Sequence, residues 1–132
     1  MRDHAMSVCA ITGAASGIGA AIRLRLEADG ARVIHPYVRA PARPQSPARR
    51  RSARPSAIAP GPVKTPLLAA DSADPVTGPA IAKLEIPLGR LGEPDEIAEL
   101  AAFLLHPRAG WIHGSIVYID GGNDAEIRPD RF

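Results

Sequence analysis

With one cysteine among its 132 residues the chain cannot form an internal disulfide, which points to a reducing compartment, the cytoplasm. Cys9 itself lies in the short apolar run Val8 to Ile11, where a small side chain is packing material rather than a reactive thiol. Long hydrophobic runs are also missing. No stretch approaches the ~20 apolar residues that span a bilayer, so no membrane partner is expected. The opening Met1-Arg2-Asp3-His4 lacks the apolar core of a secretory signal, and Met6 is the expected start because the first strand begins just after it. Aromatic residues make up only 4% of the chain. The four histidines, His4, His35, His106 and His113, lack the clustered spacing of metal ligands, and no metal site is expected.

What is present falls into three sections of one domain, residues 1–132. Residues 6–34 read as a strand, a glycine turn, a helix and a second strand. Ile18, Ile22 and Leu26 recur every fourth position on one helix face, and Gly30 suits the left-handed position that ends a helix. Residues 35–56 form an insert of different character. From Arg39 to Ser56 it contains only Arg, Ala, Pro and Ser apart from Gln45, with six arginines, four prolines and no acid. Nothing apolar larger than alanine is available there for a core, so disorder and ready cleavage by trypsin are expected.

Residues 57–132 regain order. Ile58 to Thr65 reads as a strand end and loop, with Thr65 the N-cap and Pro66 the first residue of a helix. Short helical pieces broken by Pro75, Gly78, Pro79 and Pro87 should follow. Gly92-Glu93-Pro94-Asp95-Glu96 launches the best helix of the chain, with proline at its start and acids where the dipole favours them. Ile97, Leu100, Ala101 and Leu104 are its expected buried stripe, and His106-Pro107 its stop. Ser115 to Ile119 is a last strand, closed by Asp120-Gly121-Gly122.

Thr12-Gly13-Ala14-Ala15-Ser16-Gly17-Ile18-Gly19 has the layout of a dinucleotide cradle. Glycines let the backbone approach a pyrophosphate, and the helix that follows offers unpaired N–H groups and the positive end of its dipole. Ser16 adds a hydroxyl that can donate to phosphate or ribose. This T-G-x-x-x-G-x-G spacing resembles the short-chain dehydrogenase/reductase family. Pro60-Gly61-x-Val63-x-Thr65 is similar to that family's loop beside the nicotinamide. Gly89-Arg90-x-Gly92-x-Pro94-x-Glu96-Ile97-Ala98, followed by Ile119-Asp120-Gly121-Gly122, is similar to its C-terminal signature. Within the family, Ile58, Thr65-Pro66-Leu67-Leu68, Ile81-Ala82-Lys83, His113-Gly114 and the ending Arg128 to Phe132 resemble the bacterial 3α-hydroxysteroid dehydrogenase/carbonyl reductases.

The resemblance implies an α/β fold of Rossmann type, a doubly wound parallel sheet, and a nicotinamide-dependent oxidoreductase using NAD or NADP on an alcohol, ketone or steroid. The cofactor-binding residues it implies are Gly13, Ser16, Gly17, Ile18 and Gly19 on the turn and Pro60, Gly61, Val63 and Thr65 on the second loop. Leu67, Leu68 and Ile81 would either line an apolar substrate site or serve as ordinary helix packing. It also implies a homo-oligomer formed through the C-terminal helix and strand.

The departures from the family pattern are as informative. Its chemistry needs a Tyr-x-x-x-Lys pair, with tyrosine as acid and base, lysine lowering its pKa, and serine orienting the carbonyl. Here Tyr37 is followed at that spacing by Pro41 and Tyr118 by Gly122, while Lys64 and Lys83 are preceded by Pro60 and Pro79. No catalytic residue is therefore assigned, and loss of the proton-transfer group alone forfeits ~100 to 10,000-fold in rate. The same block would carry the central strands, so the fold is expected to be an incomplete, internally truncated Rossmann-like sheet with open edges unless its halves dock directly. At the end of the second strand, where an acid would bind the ribose of NAD, stand His35-Pro36-Tyr37, and NAD and NADP remain alternatives. An inactive remnant is the leading reading, with an internal deletion or frameshift as its cause. The alternatives are a non-catalytic oligomerisation partner and polyanion binding through Arg39, Arg43, Arg49, Arg50, Arg51 and Arg54. With no interleaved aromatics to stack on bases, a nucleic-acid partner is not expected.

Overall fold

The computed structural model describes residues 8–34 and 56–123; almost all of the Arg/Pro/Ala/Ser insert, with Tyr37, His4, His35 and the last nine residues, lies outside them. In the first stretch, β1 (Val8–Ala10), α1 (Gly17–Ala28) and β2 (Arg32–Ile34) form a right-sized crossover unit. β1 and β2 run parallel, with Cys9 opposite Val33 and Ile11 N–H donating to the Ile34 carbonyl at 3.1 Å. Parallel pairing needs a crossover, and α1 supplies it. Gly30 ends the helix at φ 89°, while Ala31 N–H turns back to the Leu26 carbonyl at 3.0 Å, as the sequence predicts.

The second stretch contains β3 (Ala57–Pro60), α2 (Pro66–Ala73), α3 (Gly78–Ile81), α4 (Pro94–Leu105), a 3-10 turn at Pro107–Ala109 and β4 (Ile116–Ile119). β3 pairs parallel with β4, Pro60 opposite Ile119. Gly78 and Pro79, expected as breakers, instead open α3. The break lies just before them, where the Asp74 carboxylate accepts the N–H groups of Val76 and Thr77. Gly78 packs so closely on the end of α2 that a Cβ there would sit 2.5 Å from the Ser72 carbonyl oxygen.

The two stretches dock through α1 and α4. Leu26, with none of its surface exposed, packs with Ala31 and with Ala102 of α4, and Cys9, Ile11, Ile22 and Val33 close the cluster. Arg25 reaches across from α1 to the Glu99 carboxylate. The buried face of α4 is Ile97, Ala98, Ala101 and Ala102. The expected stripe therefore needs correction: Leu100 and Leu104 are only half-buried. Small residues face α1 because two helix backbones come close there, which long leucines would prevent.

β1–β2 and β3–β4 are separate two-stranded parallel sheets among the described residues. This matches an incomplete Rossmann-like architecture whose halves dock by their helices. It also leaves strand side chains uncovered: Val8, Ile34, Ile116 and Tyr118 are each about half exposed or more.

Candidate functional site

The glycine turn owes its shape to three missing side chains. Gly13 takes φ 70° with open space where a side chain would be, and Gly17, the first residue of α1, takes φ 53°. Both lie in the left-handed region that disfavours other residues. Gly19 sits directly over the turn, where a Cβ would come 2.2 Å from the Gly13 oxygen. Ser16 occupies the N-cap position in extended conformation without spending its hydroxyl on a cap bond, and Ile18 is half-buried. The first N–H groups of α1 have no partner within the helix and an uncommitted hydroxyl stands beside them, an arrangement suited to a phosphate oxygen.

The second loop is fixed from both sides. Gly61 donates to the Ile119 carbonyl at 3.1 Å and packs on Asp120 so tightly that a Cβ would lie 2.7 Å from its Cα. Asp120 in turn accepts the Gly122 N–H at 3.0 Å. Val63 is buried and bridged to Gly92: Gly92 N–H donates to Pro62 and Lys64 N–H to Gly92, at 3.0 and 2.9 Å. Thr65 caps α2 as expected, its Oγ1 accepting the Leu68 N–H at 3.2 Å, and its own hydroxyl proton can still be donated.

These two loops, far apart in sequence, meet. A Cβ on Gly17 would lie 3.3 Å from Cγ2 of Thr65 and 3.9 Å from Cδ of Pro66. The N-termini of α1 and α2 thus converge, and two positive dipole ends share one surface.

A charged cluster whose pairing the sequence reading did not foresee borders this loop. Arg90 grips Glu96 with both arms, Nη1 to Oε2 at 2.9 Å and Nη2 to Oε1 at 2.7 Å. Glu96 Oε2 also accepts the Glu93 N–H at 2.8 Å, and Glu93 pairs with Lys64. The Arg90 hydrogen bonds, helped by the Glu93 N–H, hold the Glu96 carboxyl down at about 2. The signal for it was the Glu93-x-x-Glu96 spacing around Pro94, half of a capping box. Tyr118 lies half exposed on β4, and Lys64 pairs with Glu93. Among the described residues, no three His, Cys, Asp or Glu side chains group to hold a metal.

A family model described as enoyl-(acyl carrier protein) reductase matches residues 47–124, more than half of the chain and all of the second loop, the α4 signature and β4. The chain belongs to the short-chain dehydrogenase/reductase family. The 3-alpha-hydroxysteroid dehydrogenase/carbonyl reductase of Comamonas testosteroni is 51% identical over 75 residues, which is 57% of this chain and 29% of that protein. The 3beta-hydroxysteroid dehydrogenase 1 of Eggerthella lenta is 40% identical over 72 residues, 54% of this chain and 27% of that one. The chain thus aligns with less than a third of either of these relatives. Among solved structures, the 3-alpha-hydroxysteroid dehydrogenase from Pseudomonas sp. B-0831 complexed with NADH superposes with a TM-score of 0.75 at 23% identity, covering 96% of this chain and 100% of that one. The ligand-free aldohexose dehydrogenase of Thermoplasma acidophilum gives 0.67 at 17% identity, covering 94% and 96%. At such identities these likenesses establish the fold, a partial Rossmann-like α/β arrangement.

Proposed function

We propose that the chain is a remnant of a nicotinamide-dependent oxidoreductase of the 3α-hydroxysteroid dehydrogenase/carbonyl reductase type, which retains a local cofactor cradle and has no turnover of its own. The observation that carries the cradle is the contact of Gly17 with Thr65 at the converging starts of α1 and α2. Gly13, Ser16, Gly17 and Gly19 would hold the pyrophosphate of NAD or NADP on the α1 N-terminus. Ile18 would pack behind it, while Pro60, Gly61 and Val63 would support Thr65 in donating its hydroxyl to the nicotinamide carboxamide. A bound nicotinamide would supply hydride to, or take it from, a secondary alcohol or ketone.

The missing step is proton transfer. No tyrosine stands four residues before a lysine, and hydride transfer without a positioned acid leaves the oxygen of the substrate uncompensated. An internal deletion or frameshift accounts for the arginine- and proline-rich replacement of that block, and sequencing the encoding DNA tests it. The steroid-type relative supports the substrate class, and the cytoplasm is proposed from Cys9.

Titration of the purified chain with NADH and NADPH, read by fluorescence and by the amide resonances of Gly17 and Thr65, tests the reading. Shifts at both amides without turnover of steroid or quinone support it. Steroid turnover that is lost on Gly13→Ala would overturn it.

A second reading is favoured by the exposed faces of Ile116, Tyr118 and Phe103: a non-catalytic chain that associates with copies of itself through α4 and β4. Size-exclusion chromatography with light scattering distinguishes it. The polyanion reading rests on arginines outside the described residues and gains no support from the site.

A further inference from the structure

Arg90 stands outside the cradle, yet its contacts lead into it. We propose that Arg90 is a positioning residue of the second loop: by clasping Glu96 it fixes the start of α4, and that start holds the backbone on which Thr65 is presented. The cofactor side of this inference rests on the cradle reading above, while the clasp itself does not.

The chain of contacts is short. Both arms of the guanidinium are engaged by Glu96, and Nη1 also donates to the Leu91 carbonyl at 3.0 Å. Glu96 then spends one oxygen on the Glu93 N–H. Glu93 pairs with Lys64, and the neighbouring Gly92 exchanges backbone bonds with Pro62 and Lys64. Lys64 directly precedes Thr65, whose oxygen caps α2. A break at Arg90 therefore frees the Arg90–Glu93 segment, which is the half of the bridge that holds the loop.

Exposure decides what kind of role this is. The Arg90 and Glu96 side chains are 49% and 43% exposed, and isolated ion pairs in such settings contribute little to global stability. A planar guanidinium that holds a carboxylate by two parallel bonds still fixes geometry. Lysine keeps the charge and loses the fork. Arg90 is thus suited to setting a loop rather than holding up the fold.

The test is amide hydrogen exchange on the full chain, comparing Arg90→Gln and Arg90→Lys with the parent, alongside thermal unfolding and the NADH titration. Exchange at Lys64 and Gly92 should quicken by about tenfold in Arg90→Gln, the size expected for loss of a charge-assisted network. Arg90→Lys should fall between Gln and Arg. Helix α1 amides and the unfolding midpoint should hardly move. Unchanged exchange at Lys64 and Gly92 overturns the clasp, as does an equal acceleration across α1, which would mean general destabilisation. Loosening of the loop while NADH shifts neither Gly17 nor Thr65 in the parent would uphold the clasp and overturn the cofactor reading instead.

Discussion

Gly17 and Thr65 face each other at the shared opening of two helices, where a Cβ on Gly17 would lie 3.3 Å from the threonine methyl, and φ 53° is what calls for glycine at that position. A left-handed backbone at Gly17, a cap at Thr65 and the packing of α1 on α4 must all hold for that contact to form.

The glycines should respond in a graded way. Gly13→Ala meets no neighbour and carries only the cost of φ 70°, ~1–2 kcal/mol. Gly17→Ala adds a contact that the Thr65 methyl can relieve by a small shift. Gly19→Ala forces a Cβ to 2.2 Å from a backbone oxygen and should cost the most, at least ~2 kcal/mol, as overpacking does. Urea unfolding of the three variants gives the order, and equal losses would count against the described turn.

Leu26→Ala removes the fully buried side chain at the junction of α1, β2 and α4. A loss of ~2–5 kcal/mol is expected for such a deletion, larger than for Leu24→Ala, which lies exposed on the same helix. Because Ala102 shares the Leu26 cluster, amide exchange should quicken in both stretches together.

Acid should loosen α4 late. Glu96 ionises near 2 in the folded chain against an ordinary 4.5, so the folded state binds this proton less readily than the unfolded one. Its contribution is complete above about 4.5 and is lost as pH falls towards 2. Glu96→Gln should flatten the pH profile of amide exchange at Lys64 and Gly92 in that window, with little change in the global unfolding midpoint because the pair is half exposed. A profile as steep as that of the parent would refute the Arg90 pairing.

Cofactor affinity should be weak. With phosphate contacts and little to orient the nucleosides, a dissociation constant no tighter than about 1 mM is expected, roughly 4 kcal/mol. Micromolar binding of NADH or NADPH that disappears in Gly17→Glu would show that the two docked stretches make a working half-site.

Much of the local structure was legible in the sequence because its causes are local. Thr65-Pro66 and Pro94 with its acids mark helix starts by capping and by a fixed φ, and Gly30 marks an end because only glycine enters the left-handed region cheaply. The order of the glycine turn, second loop and α4 signature gave the family and the fold class for the same reason. Gly78-Pro79 misled, whereas Pro75 does stand in the break, between Asp74 and the Val76 and Thr77 N–H groups that the Asp74 carboxylate accepts.

Tertiary structure alone decided which face of α4 is buried. Periodicity admits both Leu100–Leu104 and Ala98–Ala102, and the close approach of α1 selects the small residues. It alone set Gly61 against Asp120 and joined the Arg90 segment to the second loop, since these depend on the pairing of β3 with β4 and on the bridge between Val63 and Gly92. It alone brought Gly17 to Thr65, because that contact needs Leu26 and Ala102 in one core, and no residue within either loop encodes the distance between them.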